Sequence, residues 1–229
     1  MVTLLENRPS LPLLLSLNAG YVDTAGFLAL QGLFTAHVTG NFVTLGAALA
    51  LGTSGALAKL LALPVFCAVV IAMRLLNTVL ANRQWPALDV LIALKVLLLF
   101  IAAALAIRFG PFQDADSARA VLTGMLLVAA MAIQNALHRF HLGSSPPSTL
   151  MTGTTTQVMI DIADRIHAPK GTDSPSGARL VQLSTNILIF AIGCGAAALL
   201  YSRFGVKCLL VPPMVGTLQL IVRRHPSAG

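Results

Sequence analysis

Charge is what this chain lacks most. Only 10% of its 229 residues are charged, whereas a soluble domain carries about 25%. A surface wetted all round is excluded. With 56% hydrophobic residues and a mean hydropathy of +0.83, the chain reads as a polytopic membrane protein. Cysteine is scarce as well. Cys67, Cys194 and Cys208 lie in separate apolar runs without a CxxC pair, which excludes a disulfide framework and leaves packed thiols. Tryptophan occurs once, at Trp85, in a short connection where an interfacial anchor fits. No basic stripe interleaved with aromatics accompanies the net charge of +7, so no nucleic-acid partner is expected. The basic residues read as topology signals and contacts to anionic lipid.

Catalytic signatures are missing too. There is no Ser-His-Asp order, HExxH, P-loop or GxGxxG, so neither an enzyme nor a cofactor is expected. His138 and His141 share a helix end but have no third ligand nearby in sequence. They read as a headgroup-facing cluster with Arg139, not a metal site.

What is present is a set of long apolar runs, and one is too long. Residues 11–51 hold a single formal charge, Asp23, yet a bilayer core takes about 20 helical residues. The run must break, and the polar stretch Gly32-Leu33-Phe34-Thr35-Ala36-His37-Val38-Thr39-Gly40-Asn41 is the place. Polar, non-helical backbone at membrane depth is tolerated only where protein buries it or a wet cavity receives it. The Thr-Gly pattern returns at Met151-Thr152-Gly153-Thr154.

Taken in order, the chain predicts a first helix after Pro12, the break, and a half-helix over 42–51. Spanning helices follow over about 58–80, 88–107 and 120–137. Gly143-Ser144-Ser145-Pro146-Pro147 is a breaker. The segment 148–166 carries Asp161, Asp164 and Arg165, so it reads as an amphipathic helix. Two further spans cover about 179–201 and 206–222. The first apolar segment is expected to be retained, since a cleaved signal peptide would release a soluble domain and hydrophobic segments here continue along the chain.

The expected fold is therefore all-α, a single membrane domain over 1–229 with about six spanning helices. They fall into two inverted three-helix repeats, about 11–108 and 119–222, each with a broken helix and a half-helix. Asp23 precedes the first Thr-Gly much as Asn135 precedes the second, and Ala58-Lys59-Leu60-Leu61 resembles Ala178-Arg179-Leu180-Val181. Inverted repeats with paired broken helices place a transport site where the breaks meet.

The expected site is a small midplane cavity lined by Thr39, Gly40, Asn41, Thr152, Gly153 and Thr154, with Asn18, Asp23, Gln134 and Asn135 around it. A carboxylate within a span needs a partner, and Arg74 and Lys95 are the cations available to Asp23 as an ion pair. The expected function is a permease for a small polar solute, coupled to a proton or another cation. The alternative is a structural or lipid-interacting membrane protein. Membrane lipid is the expected partner, with a homo-oligomer left open.

Orientation follows from basic residues near helix ends. An inner set of Arg8, Arg74, Arg83, Arg139, Arg165, Lys170, Arg179, Arg223 and Arg224 outnumbers an outer set of Lys59, Arg108, Arg119, Arg203 and Lys207. Both termini are expected in the cytoplasm.

At these motifs the chain resembles a known family. Leu17-Asn18-Ala19-Gly20-Tyr21-Val22-Asp23 through Thr39-Gly40-Asn41 is similar to the YoaK-like family of bacterial inner-membrane proteins. So is Met131-Ala132-Ile133-Gln134-Asn135-Ala136 followed by Ser148-Thr149 and Thr152-Gly153. The resemblance runs over about 11–222. It implies a multi-pass protein of the inner (plasma) membrane and supplies no substrate.

Overall fold

The computed structural model describes residues 10–167 and 177–224. Arg8 and Lys170, used above for orientation, lie outside the described residues, as do the side chains of Arg223 and Arg224. The elements are α1 (Leu11–Ala29), a 3-10 turn (Val38–Gly40), α2 (Asn41–Leu51), α3 (Ala56–Asn82), α4 (Ala87–Phe109), α5 (Ala118–His141), α6 (Met151–His167), α7 (Gly177–Phe204), a second 3-10 segment (Gly205–Leu210) and α8 (Val211–Arg224). No strand occurs among the described residues.

Among the described residues four stretches are long and apolar enough to cross a membrane: Ala56–Asn82, Ala87–Phe109, Ala118–His141 and the run Gly177–Val222. α1 is not among them. Asn18, Asp23 and Thr24 lower its hydropathy, and it lies inside the bundle against α7, α8 and α5. Small residues let it sit there. Gly20 meets the backbone of Phe190, and Gly193 of α7 meets the backbone of Leu17. Close approach through glycine is how helices associate where lipid gives no hydrophobic drive.

Packing partners come in matched pairs. α1 lies along α7, and α5 along α3. α4 packs on α5, and α8 on α1. α2 rests on α3, and α6 on α7. α8 folds back after the Gly205–Leu210 segment, because Asn186 of α7 and Gln219 of α8 both reach the early turns of α1, at Ser16 and Leu14.

The connections gather at two ends. At one end Gln31 donates to the Phe112 and Gln113 carbonyls, Ser54 bonds Gln31, and Asp116 accepts from the Gly55 and Leu57 backbone N–H groups. Gly52 caps α2 in the left-handed region, a conformation that favours glycine. At the other end His141 pairs with Asn77, and Arg74 stacks over Phe140.

The two breaks differ from expectation in placement. α1 stops at Ala29, and the first interruption covers 30–37 before the 3-10 turn. The second covers 142–150, so Thr152-Gly153-Thr154 lies inside the first turn of α6, not in a break. The Gly-Ser-Ser-Pro-Pro run itself supplies the irregular backbone there. Helix formers then resume at once.

Candidate functional site

The first break is held by two polar side chains. Asp23 Oδ1 accepts hydrogen bonds from the backbone N–H of Thr35 at 2.7 Å and of Ala36 at 2.8 Å, and from Thr35 Oγ1 at 3.3 Å. Asn41 accepts from the Phe34 N–H at 2.9 Å and donates to the Phe34 carbonyl at 2.8 Å. Irregular backbone inside the bundle thus finds its partners in protein, as low-dielectric surroundings require.

The second carboxylate oxygen of Asp23 faces His37. His37 Nδ1 lies 2.6 Å from Asp23 Oδ2, with the carboxylate nearly enclosed and the imidazole 35% exposed. The break brings them together by turning back along α1. A charge-assisted contact of that length is strong. It occupies Nδ1 and leaves Nε2 for another partner. His37 lies in the connection between α1 and α2.

The pair opens on a cavity of about 460 Å³, lined by Asp23, Thr24, Phe27, Leu28, Phe34, His37, Gly40, Phe190 and Cys194. Phe190 stands edge-on to the imidazole, with ring centroids 5.5 Å apart. Phe27 and Phe34 stack at 4.9 Å with a 49° tilt.

The expected Asp23 ion pair does not form. Arg74 stacks over Phe140, and Lys95 is fully buried elsewhere. Lys95 Nζ donates to Gln134 Oε1 at 2.9 Å and to Gln219 Oε1 at 2.6 Å. Gln134 in turn donates to the Leu15 carbonyl and Ser148, and Gln219 to the Leu14 carbonyl. Asp23 instead serves the break beside it in sequence. Backbone N–H groups and an imidazole there satisfy it without a distant cation.

The remaining expected residues divide. Gly40 lines the cavity with Asp23. Asn41 is spent on Phe34, and Thr39 is exposed. Thr152 lines a separate open groove with Met151, Thr155, Thr156, Met159, Ile160 and Ala163, and Gly153 is exposed beside it. Thr154 is buried and bonds its own helix at Leu150. Asn135 accepts from Thr149 Oγ1 at 2.6 Å, a counterpart at the second break of Asp23 at the first. Asn18 is fully buried, and neither of its side-chain polar atoms has a partner. The single shared cavity is therefore not what the fold builds. The first break forms a cavity with α7, while the second Thr-Gly faces outward.

Sequence reasoning passed over Phe190 and Gln219 and read Cys194 only as a packed thiol. No local signal could have found them, since each reaches its site from another helix. The sequence shows His37 as a polar residue in the break, but it offers Arg74 and Lys95, not His37, as partners for Asp23.

Comparison with known proteins agrees with the fold class. The family model described as "Protein of unknown function (DUF1275)" matches residues 11–222. A curated relative, the UPF0700 transmembrane protein YoaK of Bacillus subtilis (strain 168), is 35% identical over 170 residues, which is 71% of this chain and 71% of that protein. No solved structure matches.

Proposed function

This chain belongs to the DUF1275 family of transmembrane proteins, and on that premise we propose that it is a small-molecule permease whose solute site is the cavity at the first break. One observation carries the reading. A carboxylate and an imidazole, 2.6 Å apart inside the bundle, face a cavity of about 460 Å³. An intramembrane ionisable pair on a cavity is the usual mark of an ion or proton pathway.

The matched helix pairs support two inverted repeats, α1 to α4 and α5 to α8, because α1–α7, α4–α5 and α2–α3 map onto α5–α3, α8–α1 and α6–α7 when the halves are exchanged. The parallel bonds of Asp23 to Thr35 and Asn135 to Thr149 support it too. In this reading α1 to α8 supply six spans, and the stretches 30–51 and 142–167 re-enter from opposite faces. The protein resides in a bacterial inner membrane with both ends in the cytoplasm. Its partners are lipid and a small polar solute, with no nucleic acid and no catalytic step.

The second reading is a structural or lipid-interacting membrane protein. It is favoured by the way Asp23 and Asn41 satisfy the backbone of the break. Solute uptake by proteoliposomes across a pH gradient separates the two. A permease loses flux in Asp23→Asn while the protein stays folded. Flux no greater than in empty liposomes for the whole solute panel leaves the structural reading.

A further inference from the structure

We propose that the Asp23–His37 cavity binds an organic ammonium ion, and that this cation and a proton displace one another at the pair. The displacement as a transport step rests on the permease reading; the binding does not.

The lining selects the charge. Among the described residues Asp23 is the one acidic residue on the cavity wall, and no lysine or arginine lines it. A phosphate or carboxylate would meet like charge without a cationic partner. A sugar would need many hydrogen-bond partners, and beyond the pair the wall offers only the Thr24 hydroxyl and the Cys194 thiol. The rest is apolar, and three of those side chains are phenylalanine rings. Aromatic faces within about 6 Å attract an ammonium group through their quadrupoles, most of all one with no N–H left to satisfy. Phe27 and Phe34 stack on each other, Phe190 stands edge-on to the His37 ring, and all three line the cavity with Asp23. The volume lies within the roughly 300–1,000 Å³ of small-molecule sites.

The pair supplies the exchange. With the imidazole protonated, imidazolium and carboxylate cancel. When Nε2 releases its proton to water, Nδ1–H stays on Asp23 Oδ2 and the pair carries one negative charge. That charge is what an entering cation neutralises. No covalent bond forms or breaks except the N–H that gives up the proton.

Other ionisable groups nearby leave this balance in place. α7 contributes the Cys194 thiol. From α3, Lys59 lies against Gly32, and Asp116 attracts it. Tyr21 turns away to the Cys208 carbonyl, and α2 holds no titratable side chain.

The test uses the full chain purified in detergent and then reconstituted, with phenyltrimethylammonium as probe and tert-butylbenzene as its uncharged isostere. Calorimetry should show saturable binding of the cation at pH 8. Affinity should fall by about tenfold per pH unit once His37 is protonated, as competition by one proton requires. The isostere should show no pH dependence. His37→Gln should bind the cation with flat pH dependence. Phe190→Leu, which removes a ring and no hydrogen bond, should weaken binding several-fold. Asp23→Asn should abolish it; because Asp23 also holds the break, Phe190→Leu and His37→Gln decide the matter if that variant does not fold.

No saturable binding at pH 8, or binding indifferent to both pH and Phe190→Leu, overturns the proposal. Uptake of an anionic or neutral solute without cation binding overturns the ammonium assignment and keeps the permease. Cation binding without flux upholds the assignment and overturns the permease.

Discussion

A Cβ placed on Gly20 would stand 2.2 Å from the carbonyl oxygen of Phe190. The backbones of α1 and α7 are in contact there, with no room for one methyl group. The same is true in the other direction, where a Cβ on Gly193 would stand 2.2 Å from the Leu17 carbonyl oxygen. This contact fixes the distance between Asp23 on α1 and Phe190 on α7, and so fixes the width of the cavity.

Gly20→Ala and Gly193→Ala should each destabilise the protein by about 1–3 kcal/mol, the usual cost of overpacking. Gly153→Ala should be silent or slightly stabilising, because open space surrounds that position and alanine is the better helix former by about 1 kcal/mol. Unfolding in detergent, followed for the three variants side by side, checks this. Equal loss at Gly20 and Gly153 would refute it.

Asp23→Ala should destabilise more than Asp23→Asn. Alanine leaves the Thr35 and Ala36 N–H groups without their acceptor, at about 1–3 kcal/mol for each buried group left unpaired. Asparagine keeps an oxygen at that position. Expression level and thermal midpoint of the two variants give the comparison, and equal loss would mean the carboxylate acts through charge alone.

Lys95→Met should destabilise the bundle by leaving Gln134 Oε1 and Gln219 Oε1 unpaired, again at about 1–3 kcal/mol for each. Adding Gln219→Leu should cost less in that background than in wild type, because one unpaired oxygen is then gone. A double-mutant cycle measures the difference. Strict additivity would place the two side chains in separate environments.

Topology is testable apart from the site. Reporters fused after Gly229 and within 111–117 should report opposite sides of the membrane, the first cytoplasmic. A reporter at 111–117 on the same side as Gly229 would dismantle the inverted-repeat reading.

The sequence by itself determined that this is an all-helical membrane protein, and nearly where each helix runs. Hydropathy over some twenty residues is a local quantity, so α3, α4 and α5 lie within a few residues of expectation. It also determined that the run 11–51 must break, because no bilayer is thick enough for it, and that a short helix follows, which the structure places at Asn41–Leu51. Thr152-Gly153 shows the limit of pattern matching. The same dipeptide as Thr39-Gly40 stands after Pro146 and Pro147, so the interruption falls earlier and Thr-Gly joins the helix.

Only the tertiary structure decided the partners. Lys95 and Arg74 both looked like counter-ions for Asp23, since a list of charges is all the sequence offers. Their meeting depends on which helix faces lie together. α1 turns Asp23 toward its own break, where Thr35, Ala36 and His37 reach it, while Lys95 looks to α5 and α8. Phe190 and Cys194 complete the cavity because Gly20 and Gly193 let α7 come so near. A site built from helices this far apart in the chain leaves no local trace, since its geometry follows from packing that no short stretch encodes.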